Sequence, residues 1–155
     1  MKKRILLSLI ISLIYTVGKS QTASVEKSTY GIQTGLLGIW VHNEMKLTNQ
    51  IALRTEFGVN ASIFGGNFYP KTGFLMTPVI SVEPRWYYNL EKRLSKSKSI
   101  SGNSGNFVSL QTSYHPDWFV ISNYDNLKTF NLITIIPTWG IKRNIGKHFT
   151  YETSI

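Results

Sequence analysis

Residues 50–61 read QIALRTEFGVNA, and apolar and polar residues alternate along this stretch. One set contains Ile51, Leu53, Thr55, Phe57, Val59 and Ala61. The other contains Gln50, Ala52, Arg54, Glu56, Gly58 and Asn60. Because successive side chains of a strand point to opposite faces, this alternation predicts a β-strand with one apolar and one polar face.

Two further stretches alternate as clearly, residues 76–88 and 107–121, and weaker alternation marks 30–41, 130–143 and 148–155. Polar or glycine-containing connections separate them: 42–49, 65–73, 89–106, 123–126 and the tight hairpin candidate 144–147. Four prolines inside predicted strands are expected at bulges or strand ends: Pro78, Pro84, Pro116 and Pro137. We predict an all-β fold, an antiparallel up-and-down meander of about six strands.

The composition of the two faces indicates which one points outward. The apolar sets of the three clear strands carry no charged residue, whereas the polar sets hold Ser, Gln, Arg and Glu. On the lipid face of a transmembrane barrel, an Arg or Lys at the midplane costs about 2–4 kcal/mol. We therefore expect a partial or small transmembrane β-barrel with its apolar face against lipid. The alternative is a soluble exported β-barrel that encloses the apolar face and binds a small apolar ligand.

The N-terminus has the features of an export signal. A basic start, Lys2 to Arg4, precedes an apolar run over 5–17 and the small residues Gly18 and Ser20. The run is shorter than the ~20 residues of a membrane-spanning helix. We predict a signal peptide over 1–20, cleaved before Gln21, and one β-barrel domain over 21–155. Cleavage would remove four basic residues and lower the formal net charge from +9 to +5.

No catalytic or metal-binding constellation is evident in the sequence. The chain has no cysteine, and His42, His115 and His148 lack the spacing of metal ligands. No glycine-rich phosphate loop follows a strand. We expect no enzymatic activity, no cofactor, no metal and no nucleic-acid partner.

Charged residues on the polar faces of two successive strands define a predicted lumen cluster. If those strands pair so that partner numbers add to 137, Arg54 lies opposite Glu83. The cluster contains Arg54, Glu56, Glu83, Arg85, His115 and Asp117, the last two expected as a hydrogen-bonded pair. Such charges either fill and staple a narrow barrel or line a pore and bias its ion selectivity. The small size of the barrel favours the first role.

Aromatic and basic residues collect near the predicted strand ends. We expect an aromatic girdle at the membrane interfaces, formed by Trp40, Trp86, Tyr88, Trp118, Trp139 and Tyr151. Eight basic residues fall near one end: Lys46, Lys92, Arg93, Lys96, Lys98, Lys142, Arg143 and Lys147. They would contact lipid phosphates or lipopolysaccharide, or simply form a solvated, flexible rim.

The stretches Ser20-Gln21, 78–90 (PVISVEPRWYYNL) and 139–147 (WGIKRNIGK) resemble small outer-membrane β-barrel proteins of Gram-negative bacteria. The resemblance implies an architecture of structural or narrow-pore (porin-like) type, and it implies no activity. The chain departs from this group because it ends Glu152-Thr-Ser-Ile155 without a terminal aromatic residue. Six strands are also fewer than the usual minimum of about eight.

An unclosed sheet would expose unpaired edges to lipid. We therefore expect that the sequence is truncated and that a complete version adds at least two strands. Self-association through the open edge is the alternative. The short connections 43–49 and 144–147 should be periplasmic, which starts the first strand at the outer face. An additional strand near 22–29 would place the N-terminus in the periplasm as well.

Overall fold

The computed structural model describes residues 22–125 and 127–155, so the predicted signal peptide lies outside the described residues. The fold is all-β and antiparallel, as predicted, and the sheet curls into a half-barrel. The main path of the sheet runs β1-β2-β3-β4-β5-β7-β8, while the short β6 pairs with β4. The strands are β1 (Ser28–Gly35), β2 (Gly38–Lys46), β3 (Ile51–Phe64), β4 (Gly73–Trp86), β5 (Gly105–His115), β6 (Ile121–Ser122), β7 (Leu132–Ile145) and β8 (Phe149–Ser154). A short helix α1 (Leu90–Ser95) and a 3-10 turn (Ser101–Asn103) lie between β4 and β5.

The prediction of one strand over 30–41 was wrong, because this region is the β1–β2 hairpin. Gly35 pairs with Gly38, which leaves the two-residue turn Leu36-Leu37 between them. Gly38 has a φ of +152°, which side-chain-bearing residues rarely adopt. β2 then continues to Lys46, so the region 42–49, predicted as a connection, is mostly strand.

The predicted strand over 107–121 ends early, at His115, because Pro116 cannot donate the next ladder hydrogen bond. Continuing the register between β4 and β5 would place Pro116 opposite Pro78, and both prolines are fully buried. The chain leaves the sheet over 116–120 and returns as β6, where Ile121 pairs with Met76.

Two other prolines are accommodated in different ways. The β4–β5 ladder pairs Val82 with Thr112 and Arg85 with Ser109, but it is interrupted at Pro84. Pro137 stays within β7 and pairs with Leu110 of β5. A backbone N–H at position 137 would point toward β8. Among the described residues β8 ends its pairing at Ile155, opposite Trp139, so the proline leaves no hydrogen bond unmade there.

The half-barrel has two different ends. The capped end comprises residues 22–27, 87–104 and the turns 47–50 and 146–148. There an apolar cluster is buried, formed by Ala23, Val25, Ala52, Tyr87, Leu90 and Phe107. The loop end comprises the turn 36–37 and the segments 65–72, 116–125 and 127–131. The cluster closes the interior at the capped end.

Candidate functional site: the inner face of the sheet

The two faces of the sheet have the opposite polarity to those of a soluble domain. On the outer face, Ile32 is 72% exposed and Ile133 is 65% exposed. On the inner face, Arg54, Glu83 and Arg85 are 2–3% exposed. Buried charges are rare in soluble domains unless they are paired, so the inner face is the chemically distinctive part of the molecule.

Strand pairing explains how this separation arises. Residues that pair directly across an antiparallel sheet share a face, so the alternation within each strand is transmitted through the registers. Among the strand residues that the structure describes, Arg143 alone is charged and on the outer face. The charged residues of the inner face are Glu44, Lys46, Arg54, Glu56, Glu83, Arg85, Lys142 and Glu152.

The first ion-pair network contains four residues of the predicted lumen cluster. In β3 and β4 the numbers of paired residues add to 137, the register assumed for the cluster, so Arg54 lies opposite Glu83. The ion pairs nevertheless run along each strand: Arg54 binds Glu56 at 2.6 Å, and Arg85 binds Glu83 at 2.7 Å. Ser109 of β5 also donates a 2.5 Å hydrogen bond to Glu83.

Glu152 of β8 joins these two strands from across the interior. Its carboxylate accepts two 2.8 Å hydrogen bonds from Arg85, one at each oxygen, and lies 3.6 Å from Arg54. Glu152 is not a member of the predicted lumen cluster. The alternation of β8 indicated that Glu152 lies on the polar face. It did not indicate the contact with Arg54 and Arg85, because these residues are distant in sequence.

The second network lies nearer the capped end and is centred on Glu44, which is fully buried. Lys142 of β7 donates to one Glu44 oxygen at 2.6 Å, and Tyr87 donates to the other at 2.5 Å. Burial, and then the Glu44 carboxylate beside it, raises the pKa of Tyr87 well above its usual value. The phenol therefore stays protonated and remains a donor.

This arrangement corrects the prediction for Lys142, which the sequence analysis placed in the basic rim. Lys142 is 3% exposed and lies inside, because its even number puts it on the inner face of β7. Its neighbour Arg143 is on the outer face, where it donates hydrogen bonds to the Gly105 carbonyl and to Asn106.

The ion pairs continue into the apolar cluster of the capped end. The Arg85 guanidinium lies 4.3 Å above the centre of the Phe107 ring, and Tyr87 packs against the same ring at 5.5 Å. A Cβ at position 140 would collide with Phe107, so Gly140 is needed beneath the ring. Arg85 therefore couples the charge networks to this apolar cluster, which is called the cap below.

The inner face opens into a cavity of about 430 Å³ toward the loop end, with a lining of both polar and apolar side chains. Its lining includes Gln33, Trp40, Glu56, Gln111 and His115. Asp117 is exposed beyond Pro116, and its backbone N–H donates to Asn131 at 3.3 Å. The structure therefore does not form the predicted His115–Asp117 pair, because β5 ends before Asp117.

The predicted girdle residues fall into three places. Trp86, Tyr88, Trp139 and Tyr151 lie on the outer face near the capped end, where Trp139 donates a 2.8 Å hydrogen bond to Tyr88. Trp118 is 61% exposed at the loop end. Trp40 is on the inner face instead, where it donates a 2.9 Å hydrogen bond to Asn60. The turn at Leu36-Leu37 changes which parity faces outward, so an even-numbered residue of β2 points inward.

The basic rim is less uniform than predicted. Lys92, Lys96, Lys98 and Lys147 are exposed at the capped end. Arg93 is half-buried and donates to the Ser99 carbonyl at 2.7 Å. Lys46 is half-buried and donates to Ser24 and Asn49, each at 2.8 Å.

Two other kinds of functional feature were searched for in the described residues. No group of metal-ligating side chains and no helix long and apolar enough to cross a bilayer occurs within residues 22–125 and 127–155. Comparison of the chain with known protein families, curated proteins and solved structures finds no match. The inner face must therefore be interpreted from its own chemistry.

Replacing Glu152 by glutamine should destabilise the fold. Arg54 and Arg85 keep Glu56 and Glu83 as partners, but the change Glu152→Gln removes the carboxylate that accepts two hydrogen bonds from Arg85 and joins β8 to β3 and β4. We expect a loss of about 2 kcal/mol in the free energy of unfolding. Urea unfolding in detergent micelles measures it. Glu91→Gln, on the exposed surface of α1, is the matched control and should change stability by no more than about 0.5 kcal/mol. Equal effects of the two substitutions would contradict the network.

Proposed function

We propose that this chain is an outer-membrane β-barrel protein of structural type, with its apolar outer face against lipid and its interior filled by paired charges. The observation that carries the proposal is the inverted polarity of the sheet. A sheet in water buries its apolar face, whereas a sheet in a bilayer turns that face outward.

A continuous apolar band crosses the outer face. One row of paired positions joins β1 to β7 and contains Ile32, Val41, Phe57, Ile80, Tyr114 and Ile133. Five of these six side chains are exposed, by between 37% and 72%. Soluble monomers rarely expose apolar patches larger than about 300–600 Å². An apolar band of this kind is the surface that a transmembrane barrel presents to lipid.

The aromatic residues and the basic rim give the barrel an orientation. Trp86, Tyr88, Trp139 and Tyr151 form a group at the capped end, as interface girdles do. The short turns 47–50 and 146–148 are at this end, but so is the longest connection, 87–104, while the shortest turn, 36–37, is at the loop end. Loop length therefore does not orient the barrel. We place the capped end in the periplasm because the chain enters the sheet there, as a periplasmic N-terminus requires. Its exposed lysines would then meet phospholipid phosphates rather than lipopolysaccharide.

The interior supports a structural role over a conducting pore. Two ion-pair networks and the apolar cap fill the half of the lumen nearer the capped end. The polar inner face also argues against the soluble alternative, since an apolar ligand in the interior cavity would lie against Glu56, Gln111 and His115.

Fractionation of cells that express the chain tests the membrane assignment directly. We expect recovery in the outer-membrane fraction and extraction only by detergent, because the apolar outer face is too large to remain exposed to water. An exported control protein of similar size should remain in the aqueous periplasmic extract. Recovery of this chain in that extract would favour the soluble alternative.

A charge placed in the apolar band should be tolerated in water but not in lipid. Phe57→Arg, at the centre of β3, should lower stability in lipid vesicles by about 2–4 kcal/mol. Ile63→Arg lies on the same strand and face but close to the loop end, and should cost about 0–1 kcal/mol. Denaturant unfolding of both variants in vesicles gives the comparison. Near-neutral effects of both substitutions would indicate that no hydrocarbon surrounds β3.

The filled interior also predicts the electrical behaviour. Protein reconstituted into planar bilayers should show no stable single-channel steps, because Arg85, Glu152 and the cap at Phe107 occupy the lumen. A known porin in the same bilayers is the positive control. Reproducible unitary steps would show that the networks line a pore, as in the second role considered for the charge cluster.

A further inference from the structure

One part of the interior is left open by the ion-pair networks and the cap. It is the cavity toward the loop end, lined by Gln33, Trp40, Glu56, Gln111 and His115 among others, and is called the loop-end cavity below. Its volume of about 430 Å³ falls within the range of ~300–1,000 Å³ that is typical of small-molecule sites. Among the described residues of its lining, Glu56 is the one carboxylate, and there is no lysine or arginine.

Trp40 forms an aromatic platform in this cavity. Three glycines of the inner face lie beneath its indole ring, because a Cβ would meet Cδ1 at 2.5 Å from Gly58, Cζ2 at 2.6 Å from Gly38, and Cζ3 at 3.4 Å from Gly35. These atoms belong to both rings of the indole, and the glycines belong to three neighbouring strands. The side chain therefore lies along the wall, and the rest of the ring surface borders the cavity.

The glycines also bear on the role of the tryptophan. Gly58 pairs directly with Trp40, so any side chain at position 58 would lift the indole away from the wall. A tryptophan that only filled the lumen would gain nothing from glycines beneath it, because they enlarge the open space above the ring. The arrangement is that of a surface on which a second flat group can stack.

Polar groups with free hydrogen-bonding capacity surround the platform. Glu56 and Asn60 lie on the inner face of β3, one on each side of the residue that pairs with Trp40, and Gln33 pairs with Trp40 from β1. The indole N–H donates to Oδ1 of Asn60 at 2.9 Å, which leaves the Asn60 Nδ2 group as a donor. Arg54 donates to Oε1 of Gln33, which likewise leaves the Gln33 Nε2 group as a donor.

The lining also provides acceptors. Both hydrogen bonds from Arg54 to Glu56 go to Oε2, at 2.6 and 3.0 Å, so the carboxylate charge is balanced while Oε1 remains free to accept. Gln111 and His115 of β5 line the same cavity, and their side chains make no hydrogen bond within the part of the chain that the structure describes. The site can therefore both donate to and accept from a ligand.

These features define the chemistry of a ligand. It has no net charge, because Arg54 balances Glu56. It has one apolar face that covers the indole, since a ligand without such a face would leave the platform exposed. It has hydroxyl groups around its edge, because an apolar edge would leave the amides and the Glu56 oxygen unpaired.

We propose that the loop-end cavity is a binding site for a neutral pyranose sugar, which stacks the C–H face of its ring on Trp40. A pyranose combines an apolar ring face with hydroxyl groups that both donate and accept. The hydroxyl groups bond to the side chains around the platform, namely Gln33, Glu56, Asn60, Gln111 and His115.

The sugar site does not rest on the proposed membrane assignment. The cavity is on the inner face of the sheet whatever surrounds the outer face. The platform and its nearest polar groups belong to β1, β2 and β3, and their positions follow from the pairing of these three strands. Binding is therefore tested on the full chain in detergent micelles, and its outcome is independent of the fractionation result.

Saturation-transfer NMR detects weak binding of small sugars. The probes are glucose, galactose and mannose, and the micelles are of lauryldimethylamine oxide, which carries no sugar of its own. We expect transfer to at least one hexose, strongest at the C–H protons of one ring face. Sorbitol, the open-chain alditol of glucose, is the matched control ligand. It should bind about tenfold more weakly than the hexose, because it has no ring face to stack and loses more conformational freedom on binding.

Two substitutions test the residues of the site. Trp40→Leu removes the platform and should weaken hexose binding about tenfold. Trp118→Leu is the matched control, since Trp118 is an exposed tryptophan of the loop end outside the cavity lining, and it should leave binding unchanged. Gln111→Leu removes a side chain that makes no hydrogen bond in the described chain. It should weaken binding about threefold to tenfold while the urea midpoint of unfolding stays unchanged.

The outcomes that would overturn the proposal are specific. They are the absence of transfer to all three hexoses, or an affinity that survives both Trp40→Leu and Gln111→Leu. If Trp40→Leu does not fold, Gln111→Leu decides alone. Tighter binding of glucosamine than of glucose would mean that the site selects a cation and not a neutral sugar. Loss of binding in Trp118→Leu would place the sugar on the loops and not in the cavity.

Discussion

The pairing of charges across the interior is the constraint on which the arrangement of the strands depends. Glu152 of β8 must reach Arg54 of β3 and Arg85 of β4, while Lys142 of β7 must reach Glu44 of β2. Those partners come from strands that are far apart along the sheet order. In a flat sheet these partners could not meet: Arg54 and Arg85 would keep only the ion pairs along their own strands, and Glu44, Lys142 and Glu152 would have no charged partner. The cost of an unpaired buried charge thus favours the curled form.

The curled form in turn determines which groups the cap can contain. Arg85 places its guanidinium against Phe107, and Gly140 leaves space for the same ring from the β7 side. Tyr87 packs on Phe107 and donates to Glu44, so one residue belongs to both the apolar cluster and a charge network. The cap and the ion pairs are therefore one packed unit. This coupling explains why the interior is densely packed around Phe107, while cavities remain toward Trp40 and between β1 and β8.

Local alternation was sufficient to predict the clear strands, and β3 and β4 pair in the register that was assumed for the charge cluster, with Arg54 opposite Glu83. It could not predict a strand boundary at a turn that lacks typical turn residues. It also could not predict an ion pair between residues that are distant in sequence. Leu36-Leu37 resembles strand sequence, so only its flanking glycines signalled the hairpin, and the missed turn reversed the expected face of Trp40. Glu152 and Lys142 alternate correctly, but their partners are set by the curl of the sheet. Pro116, by contrast, marked the end of β5 by its chemistry alone.

The β1–β2 hairpin changes more than one strand boundary. Splitting the region 28–46 into two strands reverses the end at which the chain enters the sheet, and it brings the start of β1 to the same end as the turns 47–50 and 146–148. The two-residue turn 36–37 then lies at the opposite end. The same split makes the number of strands on the main path odd, which turns the edges of β1 and β8 in the same direction. Antiparallel closure of this sheet therefore requires an odd number of additional strands, and one strand is the smallest number that satisfies both edges.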